Sequence, residues 1–123
     1  MAEYPDKALT QEIIGAAFEV HNILGPGFLE KVYRNALIED LRSRGYRADI
    51  EVQIPVYYKD KIVGEYYADV LVEGRIILEL KALGNLDSQH EAQLLNYLKA
   101  TSHKIGLLLN FGTSRVQVKR RIL

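Results

Sequence analysis

The chain of 123 residues contains no cysteine. This absence excludes disulfide bonds, thiolate catalysis and zinc sites built on thiolates, and it fits a reducing compartment. No apolar run approaches the roughly 20 residues that a membrane-spanning helix needs. The start, MAEYPDKALT, also lacks the charged-then-apolar plan of a secretory signal peptide. We therefore expect a cytoplasmic protein with no membrane partner.

Net charge is missing too, because 16 basic residues are balanced by 16 acidic ones. A nucleic-acid-binding domain usually carries a basic excess, so any such contact would have to be local. The basic cluster at residues 119–121 is typical of a solvated strand end. The hydrophobic fraction of 48% and the charged fraction of 26% are ordinary for a globular protein. The length suits one domain over residues 1–123.

Hydrophobic spacings of three and four residues predict helices. They are expected over 9–24, 29–43 and 88–101. The sequence GPG at 25–27 should separate the first two, because proline lacks an amide proton and glycine frees the backbone. Val32 is expected on the buried side of the second helix. Ser88 is a candidate cap of the third, with Glu91 three residues on completing a capping box.

Alternating polar and apolar residues rich in valine, isoleucine and tyrosine predict strands between the second and third helices. They are expected over 48–58, 62–72 and 75–81, followed after the third helix by 104–112 and a possible edge strand at 115–120. The short turn at Glu73-Gly74 favours an antiparallel hairpin. A mixed sheet covered by helices is the natural architecture for this order.

Three charged residues stand among apolar ones in the second and third strands. Asp69 and Glu79 are each about four to five residues from the turn, so the hairpin should bring them together. Side chains alternate along a strand, which places Glu79 and Lys81 on one face with Ile77. The sequence therefore predicts that three charged groups converge at one end of a buried sheet.

Two interpretations of this cluster are open. Burying a lone charge costs several kcal/mol, so such groups are kept when they are paired or bind a metal. An ion pair of Lys81 with Glu79 or Asp69 is preferred for an isolated E-x-K motif. Alternatively, the carboxylates hold a hard divalent cation such as Mg²⁺, and Lys81 orients or deprotonates a water or stabilises charge on a phosphate. Without metal, burial and repulsion should raise the apparent pKa of the carboxyl pair.

Two helices offer further polar groups. His90, Gln93 and Tyr97 fall on one helical face. The amide of Gln93 can position a phosphate or a metal-bound water, and the hydroxyl of Tyr97 reaches the same region; an ordinary solvent-facing side is an equal alternative. Glu30 in the second helix either pairs with Arg34 on the surface or turns inward as a further carboxylate at the metal.

The segment GFLEKVY at residues 27–33 has the pattern G-x-x-E-x-x-Y. The chain closely resembles the small bacterial and archaeal GxxExxY proteins, which are assigned to the PD-(D/E)XK nuclease superfamily. The likeness covers nearly the whole chain, through IIGAAFEVHNILGPGFLEKVY, IPVYYKDK, ADVLVEGRIILELKAL and HEAQLLNYLKAT. It implies a single-domain α/β fold of the PD-(D/E)XK nuclease type, with a mixed central sheet flanked by helices.

The resemblance also implies roles for individual residues. In the superfamily, an acid of the second core strand and the E-x-K of the third bind metal and activate water for phosphodiester hydrolysis. Those positions are Asp69, Glu79 and Lys81, although Ala68 stands where proline usually precedes the aspartate. Glu30 would be a further metal ligand. Gln93 and Tyr97 resemble the additional site residues of the exonuclease branch linked to recombination enzymes.

The expected function is Mg²⁺- or Mn²⁺-dependent hydrolysis of phosphodiester bonds in DNA or RNA. A rival is a non-catalytic module in which the same pocket binds nucleic acid or a partner protein, since a neutral chain attracts phosphates weakly. A third interpretation is a subunit that is active only in a homo-oligomer. The complete set of site residues favours the enzyme, because a scaffold has no need of costly converging charges.

Overall fold

A computed structural model describes residues 6–123. Its elements are α1 (Lys7–Leu24), α2 (Glu30–Ser43), β1 (Ala48–Tyr58), β2 (Lys61–Val72), β3 (Ile76–Lys81), α3 (Ser88–Ala100), β4 (Ile105–Asn110) and β5 (Gln117–Ile122). The order of helices and strands is the expected one. Among residues 6–123, no helix combines the length and the apolar character that crossing a bilayer requires.

The five strands form one mixed sheet in the order β1-β2-β3-β4-β5. The β3–β4 pair is parallel, while the other neighbouring pairs are antiparallel. A parallel pair needs a long crossover connection, which α3 supplies here. The structure thus confirms the predicted mixed sheet with helices on both sides.

Tight turns with positive φ angles close the two hairpins. Glu73 and Gly74 have φ angles of 54° and 64°, and the Arg75 amide donates to the Val72 carbonyl at 2.9 Å. Positive φ at both central residues is the geometry that follows the right-handed twist of paired strands. The turn between β1 and β2 has the same signs at Lys59 and Asp60. The Glu73-Gly74 turn falls where the sequence predicted it, and the other turn joins the strands predicted over 48–58 and 62–72.

The sheet separates two hydrophobic clusters. The larger one lies under α1 and α2 and receives Leu78 and Leu80 from β3. The smaller one lies under α3 and receives Ile77 from the same strand. This alternation confirms the predicted facing of β3. On α2 the prediction for Val32 is wrong: Val32 is exposed, and Tyr33 of the GxxExxY segment is buried instead.

The predicted cap of α3 is also wrong. Asp87, rather than Ser88, is the N-cap, and its carboxylate accepts the Gln89 amide at 2.8 Å. The second half of the capping box is His90 rather than Glu91, since the His90 ring nitrogen Nδ1 accepts the Asp87 amide at 3.1 Å. A carboxylate one residue earlier satisfies the free amides of the first turn. His90 is therefore used at the helix end, and Glu91 pairs with Arg121 of β5.

The regular alternation of side chains between the two sides of the sheet is interrupted in β2 at Asp69. Ala68 packs in the cluster under α3, whereas Val70 packs in the cluster under α1 and α2. Alternate residues of a regular strand face the same side, so the alternation is broken between them. Opposite Asp69, Glu51 of β1 has a φ of 51°, a left-handed conformation that is unusual for a residue other than glycine. Irregularities of this kind re-aim side chains next to functional sites.

Candidate active site

Asp69 and Glu79 lie side by side just beyond the last Cα pair of the β2–β3 ladder, Val70 with Leu78. The Asp69 amide donates to Oε1 of Glu79 at 3.3 Å, and the Leu80 amide donates to Oδ2 of Asp69 at 2.8 Å. The two carboxylates thereby accept amide hydrogens in the gap where the strands separate. This confirms that the hairpin brings the two acids together.

Burial sets the electrostatics of this pair. Glu79 is only 5% exposed, and burial together with the charge of Asp69 raises the pKa of Glu79 to about 8. Burial also raises the pKa of Asp69, against the amide of Leu80 and the charges of Lys81 and Arg34. Because one carboxyl keeps its proton near neutral pH, the pair avoids the full repulsion of two adjacent charges. The expected rise in pKa is found, with desolvation as its largest cause.

Lys81 lies at the end of β3 and is partly buried. Its ammonium charge lowers the pKa of Glu30, Asp69 and Glu79. Within the part of the chain that the structure describes, no ion pair joins Lys81 to Asp69 or Glu79. The simple ion-pair interpretation of the E-x-K motif therefore lacks its direct contact, and the lysine is left near the acids without being bound by either.

Glu30 is the first residue of α2. It is exposed on the surface. The part of the side chain that is buried raises the pKa of Glu30, the charge of Asp69 raises it further, and the charge of Lys81 lowers it. Arg34, the expected surface partner of Glu30, instead donates to Glu51 at 3.0 Å. Glu30 therefore belongs to the electrostatic surroundings of the Asp69–Glu79 pair, at its solvent side.

Tyr33 fixes the loop that precedes Glu30. Its hydroxyl donates to the Gly25 carbonyl at 2.5 Å and accepts the Phe28 amide at 3.2 Å. The Tyr33 ring stacks on Phe111, which follows β4, with ring centroids 4.8 Å apart. In the GxxExxY segment, the tyrosine thus anchors the chain entering α2, and the glutamate one turn earlier is the first residue of that helix.

Tyr97 of α3 approaches the same acids from the other face of the sheet. Burial, followed by the charges of Glu79 and Asp69, raises the pKa of the Tyr97 hydroxyl to about 12. The hydroxyl therefore stays protonated at neutral pH and can donate a hydrogen bond. Gln93 lies one helical turn earlier on α3 and is half-buried. It shares a helical face with Tyr97, and its role at the site stays a prediction.

Sequence reasoning missed two residues beside the cluster. Arg34 was considered only as a surface partner of Glu30, in one of two alternatives, but its side chain is only 14% exposed and its charge lowers the pKa of both Asp69 and Glu30. Asn110, at the end of β4, is fully buried and exchanges hydrogen bonds of 2.9 Å with the backbone of Leu83. It holds the segment that follows Lys81. The apolar surroundings of Asn110 in the sequence were the available signal, because a buried amide needs partners.

The donor set suits a hard divalent cation. Asp69, Glu79 and Glu30 offer carboxylate oxygens, which Mg²⁺ and Mn²⁺ prefer, and raised pKa values show that these groups would gain from a nearby positive charge. Over residues 6–123, however, no three histidine, aspartate or glutamate side chains come together closely enough to hold a metal ion. The chain therefore offers a cation two adjacent carboxylates, those of Asp69 and Glu79, with Glu30 further out.

Comparison with known proteins supports the assignment of the fold. A family model described as the PD-(D/E)XK nuclease superfamily matches residues 7–122. Two solved chains match, among them the crystal structure of SSO0001, with 21% identity and a TM-score of 0.56. That match covers 76% of this chain and 50% of the other, so it spans half of the solved chain's length. The search of curated proteins found no match.

Proposed function

We propose that this chain, which belongs to the PD-(D/E)XK nuclease superfamily, is a metal-dependent nuclease that hydrolyses phosphodiester bonds in DNA or RNA. The observation that carries the proposal is the pair of acids at the end of the β2–β3 ladder. Asp69 and Glu79 are fixed by backbone amides at 2.8 and 3.3 Å, with Lys81 close enough to lower the pKa of both. We also assign the chain to the GxxExxY group on its segment GFLEKVY.

The residues of the cluster have distinct roles in this proposal. Asp69 and Glu79 would hold Mg²⁺ or Mn²⁺, with Glu30 as an outer carboxylate. When bound, the cation supplies Lewis-acid polarisation of the phosphate and a water of lowered pKa. Lys81 orients the attacking water and offsets the negative charge that develops on the phosphate oxygens. Its freedom from a direct ion pair suits this role, because it need not break a contact to act.

Residues of α3 complete the site. The protonated hydroxyl of Tyr97 donates a hydrogen bond toward a phosphate oxygen, and the amide of Gln93, one turn earlier, positions the phosphate or a water. Burial of Glu79 and Tyr97 keeps bulk water from the base of the site. In such surroundings hydrogen bonds and charges act more strongly than in water.

A non-catalytic binding module is the second candidate. The raised pKa of Glu79, about 8, favours it, because a carboxyl that keeps its proton at neutral pH competes with a cation for the same oxygens. In that case Asp69 and Glu79 would remain as a buried pair that shares a proton. Cation binding by the pair is what separates the two candidates.

The test is a nuclease assay on single- and double-stranded DNA and RNA with Mg²⁺, with Mn²⁺ and with EDTA. We expect cleavage that requires a divalent cation and that disappears in Glu79→Ala and Asp69→Ala. A melting temperature that ignores both cations, together with no cleavage of any substrate, would reject the nuclease in favour of the binding module. Size-exclusion chromatography of active fractions would show whether activity belongs to a homo-oligomer.

A further inference from the structure

An open cleft of about 420 Å³ lies between the β1–β2 hairpin and α3. Its lining combines aromatic rings, an amide, an ammonium group and small apolar side chains. These residues are Val56, Tyr57, Tyr66, Asn96, Lys99 and Ala100. None of them has a part in the proposed hydrolysis, so the cleft is a feature that the proposed function leaves unexplained.

Two tyrosine rings of the cleft are exposed to solvent. Tyr57 is 61% exposed and Tyr66 is 48% exposed. They stand on paired strands, where Tyr66 of β2 opposes Ile54 of β1 and Tyr57 of β1 opposes Ile62 of β2, beyond a register shift at Val56/Tyr57. A β-hairpin holds such side chains in a fixed array. The hairpin therefore fixes the backbone positions of both tyrosines, and both rings are open to solvent.

The cleft is continuous with the acid pair. The ring of Tyr66 meets the ring of Tyr97, with centroids 5.3 Å apart and an angle of 43° between the planes. Tyr97 in turn lies within electrostatic reach of Glu79 and Asp69. The contact between Tyr66 and the buried ring of Tyr97 thus connects the cleft to the surroundings of the acids, and a flexible ligand lying on Tyr66 would extend toward the proposed site of hydrolysis.

The chemistry of the cleft matches nucleotides that are not base-paired. Exposed aromatic rings stack on the faces of free bases, and this contact tolerates any sequence. Lys99 can neutralise a phosphate, and the amide of Asn96 can both donate to and accept from a base edge. Because the chain has no net charge, affinity from phosphate contacts is limited, and stacking is the stronger source of binding.

We propose that the cleft of Tyr57, Tyr66, Asn96 and Lys99 binds single-stranded nucleic acid and delivers it to the acid pair. This inference rests on the proposed function and adds the class of substrate. A duplex offers no free base faces along its length and would leave both rings unused. A protein segment is the other occupant that such a surface could hold, and a lack of binding to any nucleic acid in the experiment below would favour it.

Fluorescence anisotropy in EDTA, where no hydrolysis can occur, measures binding apart from catalysis. We expect the wild type to bind single-stranded DNA or RNA more tightly than a duplex of the same sequence, and more tightly than an abasic strand with the same phosphates. Tyr66→Ala and Tyr57→Ala should each weaken single-strand binding about fivefold to a hundredfold, while Tyr66→Phe, which keeps the ring, should bind nearly as the wild type does.

Tyr67 supplies a matched control on the same strand. It is 55% exposed, it neighbours Tyr66 and so faces the opposite side of the sheet, and it does not line the cleft. Tyr67→Ala should bind as the wild type does. Because Tyr66→Ala also removes a contact of Tyr97, Tyr57→Ala serves as the variant that leaves the acid pair's surroundings alone, and circular dichroism checks that each variant is folded.

Several results would overturn the inference. They are duplex binding as tight as single-strand binding, no binding of any nucleic acid, or Tyr57→Ala and Tyr66→Ala variants that bind as tightly as Tyr67→Ala. Wild-type binding that survives in EDTA without any cleavage in Mg²⁺ or Mn²⁺ would support the cleft and reject the nuclease. Cation-dependent cleavage of duplex alone would support the nuclease and reject the cleft.

Discussion

Asp69 and Glu79 are joined by hydrogen bonds that cross between their strands in both directions. The Asp69 amide donates to the Glu79 carboxylate, and the amide of Leu80, the next residue after Glu79, donates to the Asp69 carboxylate. The two carboxylates therefore accept backbone amide hydrogens at the point where the pairing of β2 with β3 ends. Donors that are part of a strand cannot move away, so the carboxylates are held in place before any cation or substrate arrives.

The stability of the metal-free protein should fall as the pH rises from about 4.5 to about 8. The raised pKa of Glu79 means that the folded state keeps a proton that the unfolded state has already lost in this range. The raised pKa values of Asp69 and Glu30 act in the same direction. The glutamine of Glu79→Gln carries no charge at any pH. The stability of this variant should therefore fall less steeply with rising pH, and above pH 8 it should exceed that of the wild type.

Urea unfolding at several pH values in EDTA measures this difference. Glu65→Gln, at an exposed position on the β1–β2 hairpin, is the matched control and should follow the wild type. If Glu79→Gln loses stability in parallel with the wild type across the whole range, Glu79 is not the proton-binding group that the structure indicates.

Mg²⁺ or Mn²⁺ should raise the melting temperature of the wild type. A cation at 100 times its dissociation constant adds about 2.7 kcal/mol to the free energy of unfolding if it binds the folded state only. Protons compete for the same oxygens, so the cation should bind more tightly as the pH rises toward the pKa of Glu79, about 8. Thermal melts of wild type, Asp69→Ala and Glu79→Ala should show the shift in the first alone. An equal shift in all three would place the cation elsewhere.

Lys81→Met should separate cation binding from hydrolysis. The substitution removes a positive charge near the carboxylates, so the variant should bind the cation at least as well as the wild type and still show the thermal shift. Hydrolysis should be lost, since no ammonium group remains to orient water or to stabilise the phosphate. Isothermal titration calorimetry with Mn²⁺ and the nuclease assay check the two halves. Unchanged cleavage would remove Lys81 from the site.

Tyr33→Phe should destabilise the fold by about 1–2 kcal/mol, because the Gly25 carbonyl and the Phe28 amide each lose a partner. The stacking of the ring on Phe111 is retained, so the effect belongs to the hydroxyl. Tyr58→Phe changes an exposed hydroxyl and should alter stability by less than about 0.5 kcal/mol. Chemical denaturation compares them, and equal midpoints would show that the hydroxyl of Tyr33 does not hold the loop before Glu30.

The sequence alone determined the order of elements and the meeting of the two acids. Turn chemistry and hydrophobic period depend on neighbouring residues, so the Glu73-Gly74 turn and the facing of Ile77 could be predicted from a few positions each. Once that hairpin forms, its register brings Asp69 opposite Glu79. The prediction of the N-cap of α3 failed because Asp87 and Ser88 are both good caps, and only the path of the preceding loop decides between them.

Tertiary structure decided what surrounds the acids. The reversal of facing at Asp69 lies opposite the left-handed conformation of Glu51 in the neighbouring strand, and no local pattern in β2 could show either feature. Glu30 and Tyr97 come from opposite faces of the sheet, and Arg34 turns to Glu51 instead of Glu30. Such contacts depend on how the helices pack across the sheet, and packing is settled by the fit of whole surfaces rather than by the order of residues in any one segment.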